Sequence, residues 1–464
     1  MKNSLFVRRN SLAALLLAAS CASPKEEAVT PKGISSTNDA LAGLSWTNGT
    51  LPTGTLVPPA QLRVLPGSLG GVPFWKSNNP EAVTGEGWLM TNGNNASQRG
   101  GRATPLSGLV ALYLSHLNFM GSPTNQNQPT PNRDLYIHII ASNPNSRPIT
   151  ITGRGTLAFS NQWRFRQTNP SLKSAWYLCS EDWTNNRLAP VNQTIGASRA
   201  VEIAKVRLPA KPNGQDLFTT EGRYEFNVAG GGAYFSTVAT FNGNTDRAIG
   251  YATGSAAPQA PGNQGSPIIT VDGSGEAYGR EAGIAANSAY FTGDVNVVLP
   301  ATPAYMGLCY NTNARKPVKP GSNVFYQEQS APYTMRLQSS TRTWGGYGHK
   351  YNARLILTNR TATQKNVRIS LGANPINASI SPDGNSNNVV FDSPVQTLVN
   401  NTSAQTHQVI LFNNQYGRNA RGPQRQVLRT VPVPANSDVA VNVICFVPGL
   451  GFGAGLQLDL ESGI

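Results

Sequence analysis

Short β-rich runs, each closed by an Asn, Gly or Pro turn, recur along this chain and restrict its fold more than any other feature. "DLYIHIIASN", "RPITITGRGTLAF", "YFSTVATF", "ARLILTN", "NVRISLGA", "HQVILF" and "DVAVNVICFV" are examples. Their β-branched and aromatic content favours a pleated, half-buried surface, and their length is that of strands. With 46 glycines and 33 prolines among 464 residues, few segments can propagate a helix. The pattern predicts an all-β protein of sandwich type, Ig-like or jelly-roll-like, with long Gly/Asn/Pro-rich loops. Helix is expected only at Leu172–Cys179 and Ala197–Lys205. "GLVALYLSHLNF" (Gly108–Phe119) is read as a strand.

Two pieces are alike. "LYIHIIASNPNSRPITITGRG" and "ARLILTNRTATQKNVRISLGA" each give an apolar strand, an Asn, a polar turn with a basic residue, and a second strand. Downstream, "RLPA" precedes one closing strand pair and "PVPA" another. Two sandwich modules follow from this, at 60–260 and 320–464, with connecting loops and strands over 261–319.

The N-terminus gives an address. Lys2, Arg8 and Arg9 precede an apolar run, Ser11 to Ala19, about half the length a membrane-spanning helix needs. Residues 1–20 therefore read as a secretory signal. Leu17-Ala18-Ala19-Ser20-Cys21 resembles a bacterial lipobox, with Ala18 where Leu is usual, and the resemblance implies acylation of Cys21. Ordinary cleavage after Ser20-Cys21-Ala22 is the alternative. Residues 21–58, polar and Pro-containing, read as a flexible tether. The expected location is the bacterial cell envelope, at the outer membrane or cell surface.

Losing the signal removes three positive charges from the formal +14 and leaves +11. Such a surface suits anionic polysaccharide or lipid headgroups, and export argues against nucleic acid. Cys179, Cys309 and Cys445 are an odd set without metal-ligand spacing, so neither metal nor cofactor is expected.

"RVLPGSLGGVPFWKSNNPEAVTGEGWLM" (Arg63–Met90) and "LYIHIIASNPNSRPITI" together resemble an uncharacterised bacterial family, known chiefly from cyanobacteria. The likeness covers most of residues 60–460 and implies an exported, β-rich protein. Family members carry a His pair where this chain keeps only His116, and no catalytic residues come with the resemblance.

Candidate chemistry is sparse. No His-Glu-x-x-His, Gly-x-Ser-x-Gly, Walker or Cys-x-x-Cys motif occurs. Sugar hydrolysis needs two nearby carboxylates, and Glu81 with Glu86 is the most suggestive pair, followed by Asp134, Glu181 and Asp182. Trp344, Tyr347 and His349 lie among basic residues that suit an acidic sugar, against a bland reading as aromatics anchoring a loop. Arg418, Arg421, Arg425 and Arg429 form a second basic candidate. The "NGNTD" run (Asn242–Asp246) reads as turn chemistry. The leading expectation is a non-catalytic envelope lipoprotein that binds anionic glycan or a surface protein. A polysaccharide hydrolase and a surface-layer subunit are the alternatives.

Overall fold

Alternation along the strands decides which side chains are buried. Over Lys350–Leu357 the computed structural model buries Tyr351, Ala353, Leu355 and Leu357 while the residues between them are half-exposed, the two-residue period of a sheet with one covered face. Leu106–Asn118 is different: everything from Val110 onward is buried, because both faces of this strand are covered. The structure describes residues 45–58, 61–93, 103–119, 132–161, 173–210, 218–263, 282–286, 288–309, 333–334, 347–374, 389–413, 425–447 and 455–463.

The described residues form strands and two helices. Short strands come first: β1 (Thr47–Asn48), β2 (Leu62–Val64), β3 (Ser68–Gly70), β4 (Phe74–Ser77), β5 (Ala82–Val83) and β6 (Gly87–Thr91). Then follow β7 (Leu106–Asn118), β8 (Leu135–Ser142), β9 (Ile149–Ser160), α1 (Ala175–Thr184), β10 (Ala189–Ile195), β11 (Ala200–Leu208), β12 (Thr219–Thr240) and α2 (Thr245–Thr253). Next are β13 (Gly262–Asn263), β14 (Ala282–Ala285), β15 (Tyr290–Val298), β16 (Ala304–Cys309) and β17 (Tyr333–Thr334). The last set is β18 (Lys350–Asn359), β19 (Lys365–Asn374), β20 (Val389–Val399), β21 (Ser403–Asn413), β22 (Arg425–Val433), β23 (Ser437–Phe446) and β24 (Gly455–Ser462).

These strands make two sandwiches, and the chain is all-β as its pattern predicts. The first has one layer ordered β10-β9-β12-β7-β4-β14-β17 and another in which β8 lies between β11 and β12, with β6 also on β12. β12 serves both layers. Its first part pairs with β7 and β9, and Tyr234–Thr240 pairs with β8. The crossing falls at Gly230-Gly231-Gly232, where φ is +84° and +156° at the first two glycines. A side chain at Gly231 would meet the Asn145 amide at 2.8 Å, so the bend requires glycine. Stacked Tyr224, Phe226 and Phe235 help fill the space between the layers.

The second sandwich packs β1-β16-β24-β19-β22, with β2 on β16, against β21-β20-β23-β18-β15-β3. Leu355, Val441, Ile369 and Leu458 lie in its core. From residue 45 the chain runs in the second sandwich, crosses to build the first, and returns. The segment 261–319 is more than a connection, since β15 pairs in parallel with β18 over nine residues and β16 pairs with β24.

One boundary needs correcting. Residues 45–58, assigned to a flexible tether, are packed on the second sandwich. Thr47 and Asn48 pair with Tyr305 and Ala304, and the Trp46 indole donates to the Val298 carbonyl at 2.8 Å. Val57 is wholly buried. Composition hid this because Trp46, Leu51 and Val57 dock singly, with no period to reveal them. The earlier part of the tether and the signal lie outside the described residues.

The internal likeness has a structural basis. β8·β11 with β9·β10 has the same pairing as β18·β23 with β19·β22. At the corner, Asn143 donates to the carbonyls of Arg147, Ile195 and Gly196. Asn359 donates to those of Thr363, Val433 and Pro434. Each also accepts a backbone N–H two residues on, from Asn145 and Thr361. Asn118 uses the same device on Leu208 and Pro209, so "RLPA" and "PVPA" do occupy similar corners.

Helix α1 overlaps the expected segment, but Ala197–Lys205 leads into strand β11, whose Ala200–Glu202 and Ala204–Leu208 pair with β8 on either side of a bulge. The unforeseen helix is α2. It starts inside "NGNTD", where Asn244 accepts the Arg247 N–H at 2.7 Å as its N-cap.

Candidate functional site at the sandwich junction

The two-residue period of β12 splits its side chains. Tyr224 and Phe226 enter the first core, whereas Glu221, Arg223 and Glu225 point to the opposite face. In register beside them stand Ser115, Tyr113 and Ala111 of β7, and Lys76 of β4 lies beside Tyr113. This polar face is covered by α1, by Tyr347–His349 ahead of β18, by Tyr290 of β15, and by Phe446 at the end of β23. Ser174 seats the helix: its hydroxyl accepts the Tyr177 N–H at its N-cap and donates to Asp392 of β20 at 3.0 Å.

Arg223, 2% exposed, is the centre of the junction. Its Nε donates to the Gly348 carbonyl at 3.0 Å and Nη1 to Glu225 at 2.9 Å. Its guanidinium lies 4.9 Å from the Trp183 ring centroid and 5.1 Å from that of Phe446. Arg154 lies 5.8 Å from Trp183, and Lys350 lies 5.6 Å from Phe446. The result is an alternating ladder, Arg154–Trp183–Arg223–Phe446–Lys350, drawn from five elements of both sandwiches. Cations above aromatic faces gain about 0.5–2 kcal/mol each, more where water is excluded.

Glu225 is the carboxylate paired with Arg223, while Arg154 donates to the Asn186 side-chain carbonyl at 2.9 Å. Glu225 accepts from Arg223 and from the Tyr290 hydroxyl at 2.6 Å. Burial alone would raise its pKa, but Arg223 and Tyr290 hold it below the usual carboxylate range. Lys350 is pushed below its ordinary value by burial, against the pull of Glu225 and with Arg223 and Arg154 adding to the effect. Beneath the ladder, burial drives Glu221 well above the usual carboxylate range, although Tyr113, Ser115 and Trp176 pull the other way. Glu221, Arg223, Tyr113, Cys179 and Gly348 line a cavity with room for about one water molecule. Nη2 of Arg223 makes no hydrogen bond among the described residues.

The residues singled out from the sequence are scattered by the fold. His349 reaches the junction but is buried, with its Nε2 3.4 Å from Lys76 Nζ. Burial and the Lys76 charge hold it well below the ordinary histidine pKa, so it is a packed, neutral group and not a sugar-stacking surface. Tyr347 packs against Phe74 and Tyr113. Glu86 accepts the Phe241 N–H at 2.7 Å and pairs with Arg247, which staples α2 to the sheet. The Glu81 carbonyl accepts the Leu117 N–H.

Asp134 binds Arg207 and the Ala210 N–H, Glu181 binds Lys173 and Arg187, and Asp182 binds Thr156 and Arg187. Arg425 is 4% exposed and paired with Asp459 and Glu461, so it is not an open ligand contact. Arg429 is half-buried and donates to the backbone and hydroxyl of Ser403. Cys21, Trp344, Arg418 and Arg421 lie outside the described residues. Cys179, Cys309 and Cys445 are all buried.

Two hydroxyl–imidazole chains complete the inventory. Ser77 meets His116 Nε2 at 2.9 Å, and His116 Nδ1 lies 2.8 Å from the Pro80 carbonyl. Thr240 meets His138 Nε2 at 2.8 Å, and His138 Nδ1 lies 2.6 Å from Glu202. Nucleophilic catalysis uses such arrangements, but Ser77, His116, Thr240 and His138 are all sealed from solvent. They hold strands together. Sequence reasoning missed Arg154, Trp183, Arg223 and Phe446 because they come from distant segments with no local motif.

The stretch from β2 through β9, which supplies Tyr113, Lys76 and Arg154, has counterparts elsewhere. Residues 60–173 match the family described as Protein of unknown function (DUF3370), in agreement with the resemblance seen at Arg63–Met90. No curated protein matches the chain.

Among solved structures, Lac15 from a marine microbial metagenome is 10% identical over 76% of this chain and 53% of its own, with a TM-score of 0.12. The chain thus spans about half of that protein's length. Latent PorU from Porphyromonas gingivalis is 7% identical over 70% of this chain and 24% of its own, with a TM-score of 0.17. The β-porphyranase BpGH86A from Bacteroides plebeius is 10% identical over 77% of this chain and 33% of its own, at 0.14. Likeness this weak carries no argument about fold or function.

Proposed function

We propose that this DUF3370-containing chain is a non-catalytic lipoprotein of the bacterial cell envelope, held by acylated Cys21, whose folded body binds anionic glycan or a neighbouring surface protein. The observation that carries the binding role is the alternation of Arg154, Arg223 and Lys350 with the Trp183 and Phe446 rings at the junction. Positive charge in excess, partly desolvated and set against aromatic faces, suits an acidic sugar polymer. The lipobox-like "LAASC" and the basic mature chain support the location. Stable anchoring takes more than one acyl chain, which lipoprotein maturation supplies.

The test of the address is metabolic labelling with a radioactive fatty acid in a bacterial host, followed by fractionation. The full chain should take up label and sediment with membranes, and Cys21→Ala should do neither. An unlabelled, cytosolic wild-type chain would end the proposal.

A further inference from the structure

We propose that the cavity beneath the ladder binds one water molecule between Arg223 and Glu221, so that Glu221 is the second acid of the junction and its proton a switch on the hold between the sandwiches. The site stands on the junction geometry and does not depend on the envelope role proposed above. Three observations carry it.

First, alternation along β12 puts Glu221, Arg223 and Glu225 in one row, with the arginine between two glutamates. Nη1 of Arg223 donates to Glu225 at 2.9 Å, whereas Nη2 makes no hydrogen bond among the described residues. Second, Glu221 and Arg223, 1% and 2% exposed, line the same cavity, and neither Glu221 oxygen makes a hydrogen bond among the described residues. A buried water needs about two to four polar partners, and a cavity of this size holds one. By accepting from Nη2 and donating to Glu221, that water satisfies two groups whose burial unpaired would be costly. Third, the cavity walls come from α1 and from both sandwiches: Cys179 and Trp183 on the helix, Tyr113 on β7, and Gly348 and Phe446 of the second sandwich. Nε of the same Arg223 donates to the Gly348 carbonyl at 3.0 Å. One guanidinium therefore joins the water-bridged acid to the second sandwich.

The groups facing Glu221 set the direction of the switch. Burial holds its proton on well above the usual carboxylate range, with Glu81 adding to the rise and Tyr113, Ser115 and Trp176 opposing it. Burial likewise pushes the Cys179 thiol up, and Gly348 and Phe446 carry no titrating group. The fold thus binds this proton more tightly than the unfolded chain does. Its contribution is complete below the ordinary glutamate value and is lost as pH rises through the raised one.

The experiment uses the full chain with Cys21→Ser as parent. Crystals of the parent soaked in sodium bromide should show one solvent peak within hydrogen-bond distance of Nη2 and Glu221, without bromide. Bromide there would overturn the water in favour of an anion site, and direct contact of Nη2 with Glu221 would overturn the bridge.

In solution, Glu221→Leu, Arg223→Met and their combination are compared by urea unfolding. A coupling of about ten-fold in the unfolding constant is expected for bridged partners, and additive effects would sink the bridge. Glu221→Gln keeps the shape and cannot ionise, so it should fall less in stability than the parent between about pH 6 and about pH 9. An unchanged fall in that variant would remove the switch. If the leucine variant does not fold, Glu221→Gln takes its place in the cycle.

Discussion

Arg223 and Arg425 are both almost wholly buried, but their surroundings differ in sign. Arg425, in the second sandwich, faces two carboxylates, Asp459 and Glu461, and Arg368 shares Glu461 at 3.6 Å. Its Nη1 also reaches the Thr55 carbonyl, and Val57 donates to Asp459, so the cluster pins the N-terminal strap to the sheet. Arg223 instead pairs with one carboxylate, Glu225, and lies against the Trp183 and Phe446 ring faces. Buried charge costs folding free energy unless neutralised. A balanced cluster is what a structural staple requires. An unbalanced one on a rim leaves a charge for something else to complete.

Removing each arginine tests the contrast most strongly. Arg425→Met strands two buried carboxylates and should cost about 3–5 kcal/mol, the range for breaking a buried pair. Arg223→Met leaves Glu225 with the Tyr290 hydroxyl and Lys350, and relieves crowding, so about 1–3 kcal/mol is expected. Urea unfolding of both variants gives the comparison, and a larger loss for Arg223→Met would show that the junction, too, is a neutralised staple.

A smaller effect separates the clusters by pH. Burial raises Asp459 to about 6 despite Arg425, with the Glu461 charge adding to the rise. The fold therefore holds this proton more tightly than the unfolded chain does. Its contribution to stability is complete below the unfolded Asp value and is lost as pH rises through about 6. At the junction the sign is reversed: His349 is depressed, so its contribution is present above the ordinary histidine value and lost as pH falls. Asp459→Asn should raise the urea midpoint at pH 7.5 by about 1–2 kcal/mol equivalent and leave it unchanged near pH 4. A parent-like pH slope in that variant would mean that the strap cluster stays fully ionised.

The smallest effect is a control lying in neither cluster. Gly250 is exposed in α2 with open space around its Cα, so Gly250→Ala should stabilise by about 0.5–1 kcal/mol with no change in pH slope. Thermal unfolding at two pH values is sufficient to check it.

Much of the architecture was legible because it is written locally. The alternation in "ARLILTN" becomes β18, and the likeness of "IIASN" to "ILTN" becomes the corners built on Asn143 and Asn359. The strap was not legible, since Trp46 and Val57 have no periodic neighbours. Of the candidate site, only Tyr347 and His349 were near the mark, and the structure buries His349 in the junction and leaves Tyr347 half-buried beside it. Arg425 looked like a ligand contact because spacing along the chain says nothing about which acids a neighbouring strand brings.

The sequence by itself determined the strand content, the repeated corner and the positive charge, all properties of neighbours in the chain or of composition. Tertiary structure alone decided which charges are balanced. Electrostatics depends on distance and burial in space, and Arg154, Trp183, Arg223, Lys350 and Phe446 meet only after two sheets from distant segments close on one another.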